Sequence, residues 1–382
     1  MFFSLGFGQS KFYLPIIVFC YLLKMPTILF QKLNIDLIIL QFLYLFFLLS
    51  AFSIGFDRMT LERPFIILIS ILIPIILGGF VFNYQKYEIK INLMWFYLFG
   101  LFISKFTVVI YSFLTDPNLY GYGLLISPYT GKELNSPGYS NMLAITFVYF
   151  FYFAIYEKKK IILRLLSLIM VILGLLSAIF LGGRAFFVIA IFTIIFYALF
   201  QRSFKTLFYF LCVASLFIYL ISINKDLIYS LDFLMNRLKN GLDSGRFLLY
   251  KQGLSVFLDY PFGGFSVNTS MVNTKWFHNI FLDTARVAGW IPVVFFISAL
   301  IYTAKFLFYK NKENNYIVML CLCINVFLIM QQDVVLEGSV QSIVVLFFAS
   351  FCLLDSKKQK VRWSSKNGHF SRPLQNSKYL RF

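Results

Sequence analysis

The chain of 382 residues is 60% apolar and 20% aromatic, and only 13% of it is charged. Soluble domains carry roughly a quarter charged residues, and the polar residues left here could not cover a water-facing surface around 50 Phe and 24 Tyr, which excludes a soluble globule. Part of the +18 net charge gathers after Leu354, where eight Lys/Arg face one Asp; that pattern reports membrane orientation and gives no sign of a nucleic-acid partner.

A bilayer-spanning helix needs about 20 mostly apolar residues. Eleven stretches qualify in chain order: 12–30, 37–55, 65–83, 93–114, 139–156, 161–181, 185–200, 206–223, 287–309, 316–331 and 339–354. The first is interrupted by Lys24 and Pro26. With one Lys before it and no small-residue cleavage site, it reads as a retained membrane segment, not a signal peptide. Cys20, Cys212, Cys321, Cys323 and Cys352 all lie in apolar runs, where they read as packing residues, neither disulfide framework nor zinc site. Placing the tail in the cytoplasm puts eighteen Lys/Arg on that side, against Lys11, Arg58, Arg63, Lys132 and Arg184 opposite.

The expected organisation is therefore an all-α polytopic membrane protein. Residues 1–223 hold eight spans and an outward loop at 115–138, and 224–286 form a large outward loop. Residues 287–354 hold three spans, and 355–382 form a basic tail expected to be disordered. The large loop is the expected working part, because long loops in compact proteins tend to carry function.

Candidate functional residues follow in chain order. Tyr120, Tyr122, Tyr129, Lys132, Glu133 and Asn135 give the first loop the composition of a sugar-stacking surface, and equally of an interfacial aromatic belt. Arg184 follows Gly182-Gly183 at the outer start of the seventh span, where the helix dipole already favours an anion. In the large loop, Asp243-Ser244 can cap a helix from Gly245 to about Asp259, stopped by Pro261. Its apolar side, Phe247, Leu248, Leu254, Phe257 and Leu258, suits the membrane surface. Arg246 in its first turn repeats the oddity of Arg184, and each misplacement costs about 0.3–1 kcal/mol. A bound phosphate accounts for both arginines; snorkelling to lipid headgroups is the alternative.

Trp276-Phe277-His278-Asn279 closes the loop. His278 is the one histidine outside the tail, and imidazole suits proton transfer near neutral pH, although a lone interfacial His is more often a hydrogen-bonded structural residue. Asn279, Asp283 and Arg286 fall on one stripe of the following helix, either as a wet pocket wall or as an internally satisfied Asp–Arg pair. Asp333 and Glu337, in an outward turn, carry no assigned role. No nucleotide-binding Gly-Lys-Ser/Thr loop, His-Glu-x-x-His or Asp-x-Asp pair is present, so neither cofactor nor metal is expected.

Taken in order, these residues resemble the O-antigen polymerase and O-antigen ligase superfamily of bacterial inner-membrane proteins. The matching pieces are Gly182-Gly183-Arg184, the stretch from Arg237 through Ser244-Gly245-Arg246 to Tyr260-Pro261-Phe262-Gly263-Gly264, His278-Asn279-Ile280-Phe281-Leu282, and Ala288-Gly289-Trp290. They cover about residues 138–310. The resemblance implies a C-type glycosyltransferase fold acting on undecaprenyl-diphosphate-linked glycans at the periplasmic face, with a cytoplasmic C-terminus. It implies that Arg184 and Arg246 hold the diphosphate and that His278 serves the acceptor. Arg237, Lys251, Asn279, Asp283 and Arg286 are the expected substrate-binding residues, the last three as the supporting wall their shared stripe suggests, and a chain-length regulator is the expected protein partner. Family ligases often carry a second histidine close to the first; this chain has Phe277 before His278, which favours polymerase over ligase. A polysaccharide flippase is the remaining alternative, although transporters commonly bind near mid-membrane.

Overall fold

The computed structural model describes residues 34–61, 64–84, 87–116, 124–157, 160–201, 246–268, 274–307 and 314–368, with five isolated positions between 208 and 236. The first and eighth expected spans, Arg237 and the Asp243-Ser244-Gly245 cap lie outside the described residues.

Helix α1 (Ile35–Gly55) starts at Asn34, whose side chain accepts from the Asp36 amide at 3.3 Å. Leu37, Leu40, Tyr44, Phe47, Leu48 and Ala51 recur at three- and four-residue steps and are fully buried, while Ile39, Phe42, Phe46 and Leu49 on the other side are exposed. One face packs on protein and the other suits lipid. After the 3-10 turn Phe56–Arg58 come α2 (Pro64–Ile73), a π turn at Pro74–Gly78 and α3 (Gly79–Tyr84). The π turn perturbs the backbone ladder within the third expected span. Gln41 of α1 answers it by donating Nε2 to the Ile75 and Ile76 carbonyls, each at 3.2 Å.

Helix α4 (Tyr87–Thr115) ends beside a small antiparallel ribbon of β1 (Leu124–Ile126) and β2 (Glu133–Asn135), where Ser112 accepts from the Ile126 amide at 2.8 Å. The sequence reading places only loop here. The ribbon turns at Gly131 (φ 66°), in the left-handed region that glycine tolerates. Helix α5 (Ser136–Tyr156) is buried almost all round, from Ser140 to Phe153, and is the axle of the bundle. α6 (Ile161–Phe180) and α7 (Arg184–Gln201) pack beside it.

After α8 (Arg246–Val256) and α9 (Ile280–Ala288) come α10 (Trp290–Leu307), α11 (Asn314–Met330) and α12 (Gln341–Gly368). Among α10, α11 and α12, two boundaries differ from the sequence expectation by three residues or more. The ninth span begins at Trp290 instead of 287, because Gly289 (φ 75°) breaks the helix after Ala288. α12 continues to Gly368, beyond the 354 boundary where the tail was expected to start.

Among the described residues, five helices are long and apolar enough to cross a membrane: Ile35–Arg58, Pro64–Phe82, Ile89–Thr115, Ser136–Tyr156 and Ile161–Phe180. Shorter apolar helices at Arg184–Phe200, Trp290–Lys305, Tyr316–Met330 and Gln341–Leu354 complete a helical, multi-pass architecture. α1 and α10 run antiparallel: Gly55 packs against Val287 at one end, and Tyr302 donates to Asp36 at the other. The ends of α1, α4, α6 and α11 and the starts of α5, α7, α10 and α12 thereby meet at one end of the bundle. α8 and α9 lie there too.

Candidate active site

The polar end is organised by two glycine-dependent turns that dock on each other. Tyr260-Pro261-Phe262-Gly263-Gly264 places its glycines at φ 76° and 99°, and a Cβ on Gly289 would lie 2.1 Å from the Pro261 carbonyl oxygen. Backbone contact this close admits no side chain. The Trp290 amide donates to the Pro261 carbonyl at 2.9 Å, and the Gly264 amide to the Arg286 carbonyl at 2.7 Å. Arg58, leaving α1, donates to the Phe262 and Val287 carbonyls and ties the elbow to the bundle.

α8 lies over this elbow. Leu249 and Gly253 face inward, and a Cβ on Gly253 would meet Phe277 and Leu282 near 3 Å. The opposite stripe, Phe247, Lys251, Leu254 and Leu258, is exposed. Phe257, expected on the exposed side, instead stacks on Trp290 and accepts the indole N–H through its carbonyl at 2.9 Å.

His278 stands in the left-handed region at φ 55°, a conformation that non-glycine residues adopt at a cost. The amides on either side hold it there. Phe277 and Asn279 both donate to the Asp283 carboxylate, at 2.8 and 3.2 Å. Asn279 caps α9, its Oδ1 accepting from the Phe281 and Leu282 amides, and its Nδ2 donates to Gln331 at 2.8 Å. The Tyr250 hydroxyl donates to the His278 and Gln331 carbonyls, and Thr274 Oγ1 lies 3.4 Å from His278 Nε2.

Burial and the nearby Arg246 guanidinium hold the imidazole below its ordinary pKa, against the opposing pull of Asp333. Neutral pH therefore leaves it unprotonated and able to accept a proton. Burial also raises Tyr250, with Arg246 again opposing. Arg246 thus sits within electrostatic reach of both His278 and Tyr250. The Asp283 carboxyl is pushed up to about 7, chiefly by burial, against the two amide bonds and Arg286.

Glu337 is the hub beneath. Its carboxylate accepts from the Thr60 amide and hydroxyl at 3.1 and 2.8 Å, from the Trp276 indole, and from Arg286 Nη2 at 3.0 Å. Arg286 and Asp283 approach only to 3.9 Å, and Arg286 Nε makes no hydrogen bond; the pair that closes is Arg286–Glu337. Asp333 accepts from Ser339 Oγ at 2.6 Å and the Val334 amide at 2.9 Å.

The structure brings Arg246, His278, Asn279, Asp283 and Arg286 into one cluster. Asp283 and Arg286 are buried behind it, holding backbone and Glu337. Lys251 is exposed on the outer stripe of α8, and Arg237 lies outside the described residues. Arg184 opens α7 at the same end. Gly183 before it packs on Ser140 of α5, while Gly138 of α5 packs on Ser339 of the turn that carries Asp333 and Glu337. Sequence reasoning missed Tyr250 and Gln331 and gave Glu337 no role. Two acids within a short turn joining apolar helices were the available signal for Glu337, but its partners come from three distant segments. It also passed over Lys105, a charge inside the fourth span.

Fold and site together define a multi-pass helical membrane protein with a polar, imidazole-bearing cluster of mixed charge at one end of its bundle. No protein-family model and no curated protein matches the chain.

Proposed function

We propose that the protein is an O-antigen polymerase: a metal-independent glycosyltransferase of the bacterial inner membrane, with eleven spans, a C-type glycosyltransferase-like fold and a cytoplasmic C-terminus. The observation that carries this reading is the placing of Arg246 and His278 at one site. They are 32 residues apart in sequence, yet the guanidinium lies within electrostatic reach of the imidazole, at the start of a helix, packed on the His278 segment through Tyr250, whose exposed stripe is apolar around one lysine. A surface helix with an exposed apolar stripe suits a water–lipid boundary, where the headgroup of a lipid-linked glycan lies.

In this reading the hydroxyl at the non-reducing end of a lipid-linked repeat unit attacks the anomeric carbon of the growing glycan. His278 takes the hydroxyl proton as the new glycosidic bond forms and the bond to undecaprenyl diphosphate breaks. The leaving diphosphate carries the bonding electron pair away, and Arg184 and Arg246 neutralise it bidentately without a metal ion. Asn279, Asp283 and Arg286 hold the histidine turn. Lys251, and Arg237 in the same loop, supply further positive charge at the lipid surface. A chain-length regulator is the expected protein partner.

Arg246→Ala should abolish polymer while protein level stays intact. Normal polymer length in that strain would remove Arg246 from the site. A deletion strain distinguishes polymerase from ligase: single-repeat lipopolysaccharide identifies a polymerase, and bare core with accumulated lipid-linked polymer identifies a ligase.

A further inference from the structure

The structure describes the side chains of Trp95, Trp276 and Trp290. Trp95 stacks on Phe99 with ring centroids 5.0 Å apart, and Trp290 stacks on Phe257 at 6.1 Å. Trp276 differs from both. It is half-buried, yet among the described residues its ring stacks on no other aromatic ring and joins no part of the buried apolar core. What holds it is polar: the indole N–H is donated to Glu337, whose side chain is only 2% exposed.

An interfacial tryptophan buries its ring in apolar surroundings and turns its N–H to water or headgroups. Trp276 does the reverse. The one polar atom of its side chain is used up inside the protein, so the part of the indole that stays accessible is carbon. Its amide is satisfied as well, donating to Thr274 Oγ1 at 3.3 Å.

The ring has a polar neighbourhood. Phe277 is fully buried in one cluster with Leu249, Phe265 and Leu282, while Trp276 and His278 on either side of it keep part of their surface. Thr274 Oγ1, the acceptor of the Trp276 amide, also lies 3.4 Å from His278 Nε2, so a single hydroxyl touches the Trp276 backbone and the imidazole. Glu337, which fixes the indole, shares its carboxylate with Thr60 and Arg286. An unstacked aromatic face rimmed by hydroxyl, imidazole and charged groups matches a sugar ring, whose C–H face is apolar and whose hydroxyls donate and accept.

We infer that the Trp276 ring is the platform on which the terminal sugar of the acceptor glycan stacks, beside the histidine that takes its proton. This rests on the transferase reading and adds a carbohydrate-binding residue apart from the arginines that hold the diphosphate.

The test uses purified full-length protein in detergent. Loss of one stacking contact in Trp276→Ala should raise KM for the lipid-linked repeat unit about tenfold and leave kcat close to wild type. Trp276→Phe keeps an aromatic face without the N–H and should recover most of that loss. An unchanged KM in Trp276→Ala overturns the platform while leaving the transferase reading in place. On the wild type, the oligosaccharide released by mild acid from the producing strain's own lipopolysaccharide should slow oxidation of Trp276 by an indole-specific reagent, read by peptide mapping; this arm decides even where Trp276→Ala fails to fold. Inorganic pyrophosphate and phosphatidylglycerol are the controls. Undiminished oxidation with the oligosaccharide, or shielding by either control in its place, overturns the platform. A wild type that elongates nothing defeats the transferase reading, and shielding by the oligosaccharide then still decides whether Trp276 binds sugar.

Discussion

His278 is held at φ 55° by two amides that share one carboxylate, so its backbone and its imidazole can be tested apart. Asparagine tolerates the left-handed region better than most residues. His278→Asn should keep the wild-type melting temperature within error and abolish polymer. A variant that keeps making polymer removes the imidazole from the chemistry. Because burial and Arg246 hold His278 below its ordinary value, the active neutral form persists below pH 6.5, and activity is lost only as pH falls through that depressed value. Arg246→Gln should move the imidazole's titration upward, as read by NMR titration of purified protein, a readout that needs no turnover.

Asp283 gives a stability signature of opposite sense. Its carboxyl rises from 3.8 to about 7 on folding, so the native state holds the proton more tightly. The associated stability is complete below pH 3.8 and is lost as pH rises through about 7. Thermal melts in detergent should fall across that window, and Asp283→Asn should flatten the fall. Glu337 is the costlier loss: Glu337→Ala strands Arg286, the Trp276 indole and the Thr60 donors. Removing one member of a buried pair costs about 3–5 kcal/mol, to be read as a depressed melting temperature.

At the scale of elements, the elbow between α9 and α10 depends on Gly289. Alanine there would need φ 75° and would collide with Pro261 and Phe262 backbone atoms; Gly289→Ala should destabilise by more than about 1 kcal/mol. Limited proteolysis of the 257–264 turn would report it. The sequence reading restarts a helix at 277; the structure starts it at Ile280 with Asn279 as its cap. It read the ninth span as starting at 287 because hydropathy continues smoothly across Gly289, and only the docking of the Pro261 turn reveals the break. Phe257 illustrates the same limit: periodicity put it on the exposed side of α8, but the helix ends at Val256, and the next residue turns inward onto Trp290.

For the molecule as a whole, the described helices alternate in direction, so the ribbon, the starts of α5, α7 and α10, and the α11–α12 turn share one end. In the proposed orientation that end is periplasmic. Cysteines introduced at exposed Asp259 or Phe262 should react with an impermeant maleimide on intact spheroplasts, and one at Lys160 should react only after lysis; the reverse pattern would invert the orientation.

Apolar composition and the spacing of hydrophobic runs were enough to determine a helical, multi-pass membrane protein, because a bilayer accepts few other backbones and the required run length is local information. The cluster itself is different. That Asp283 turns back to its own loop, that Arg286 pairs with Glu337 across 51 residues, and that Arg246 comes within electrostatic reach of His278 are consequences of how helices cross. The partners are chosen by packing between segments far apart in the chain, and no local spacing encodes that choice.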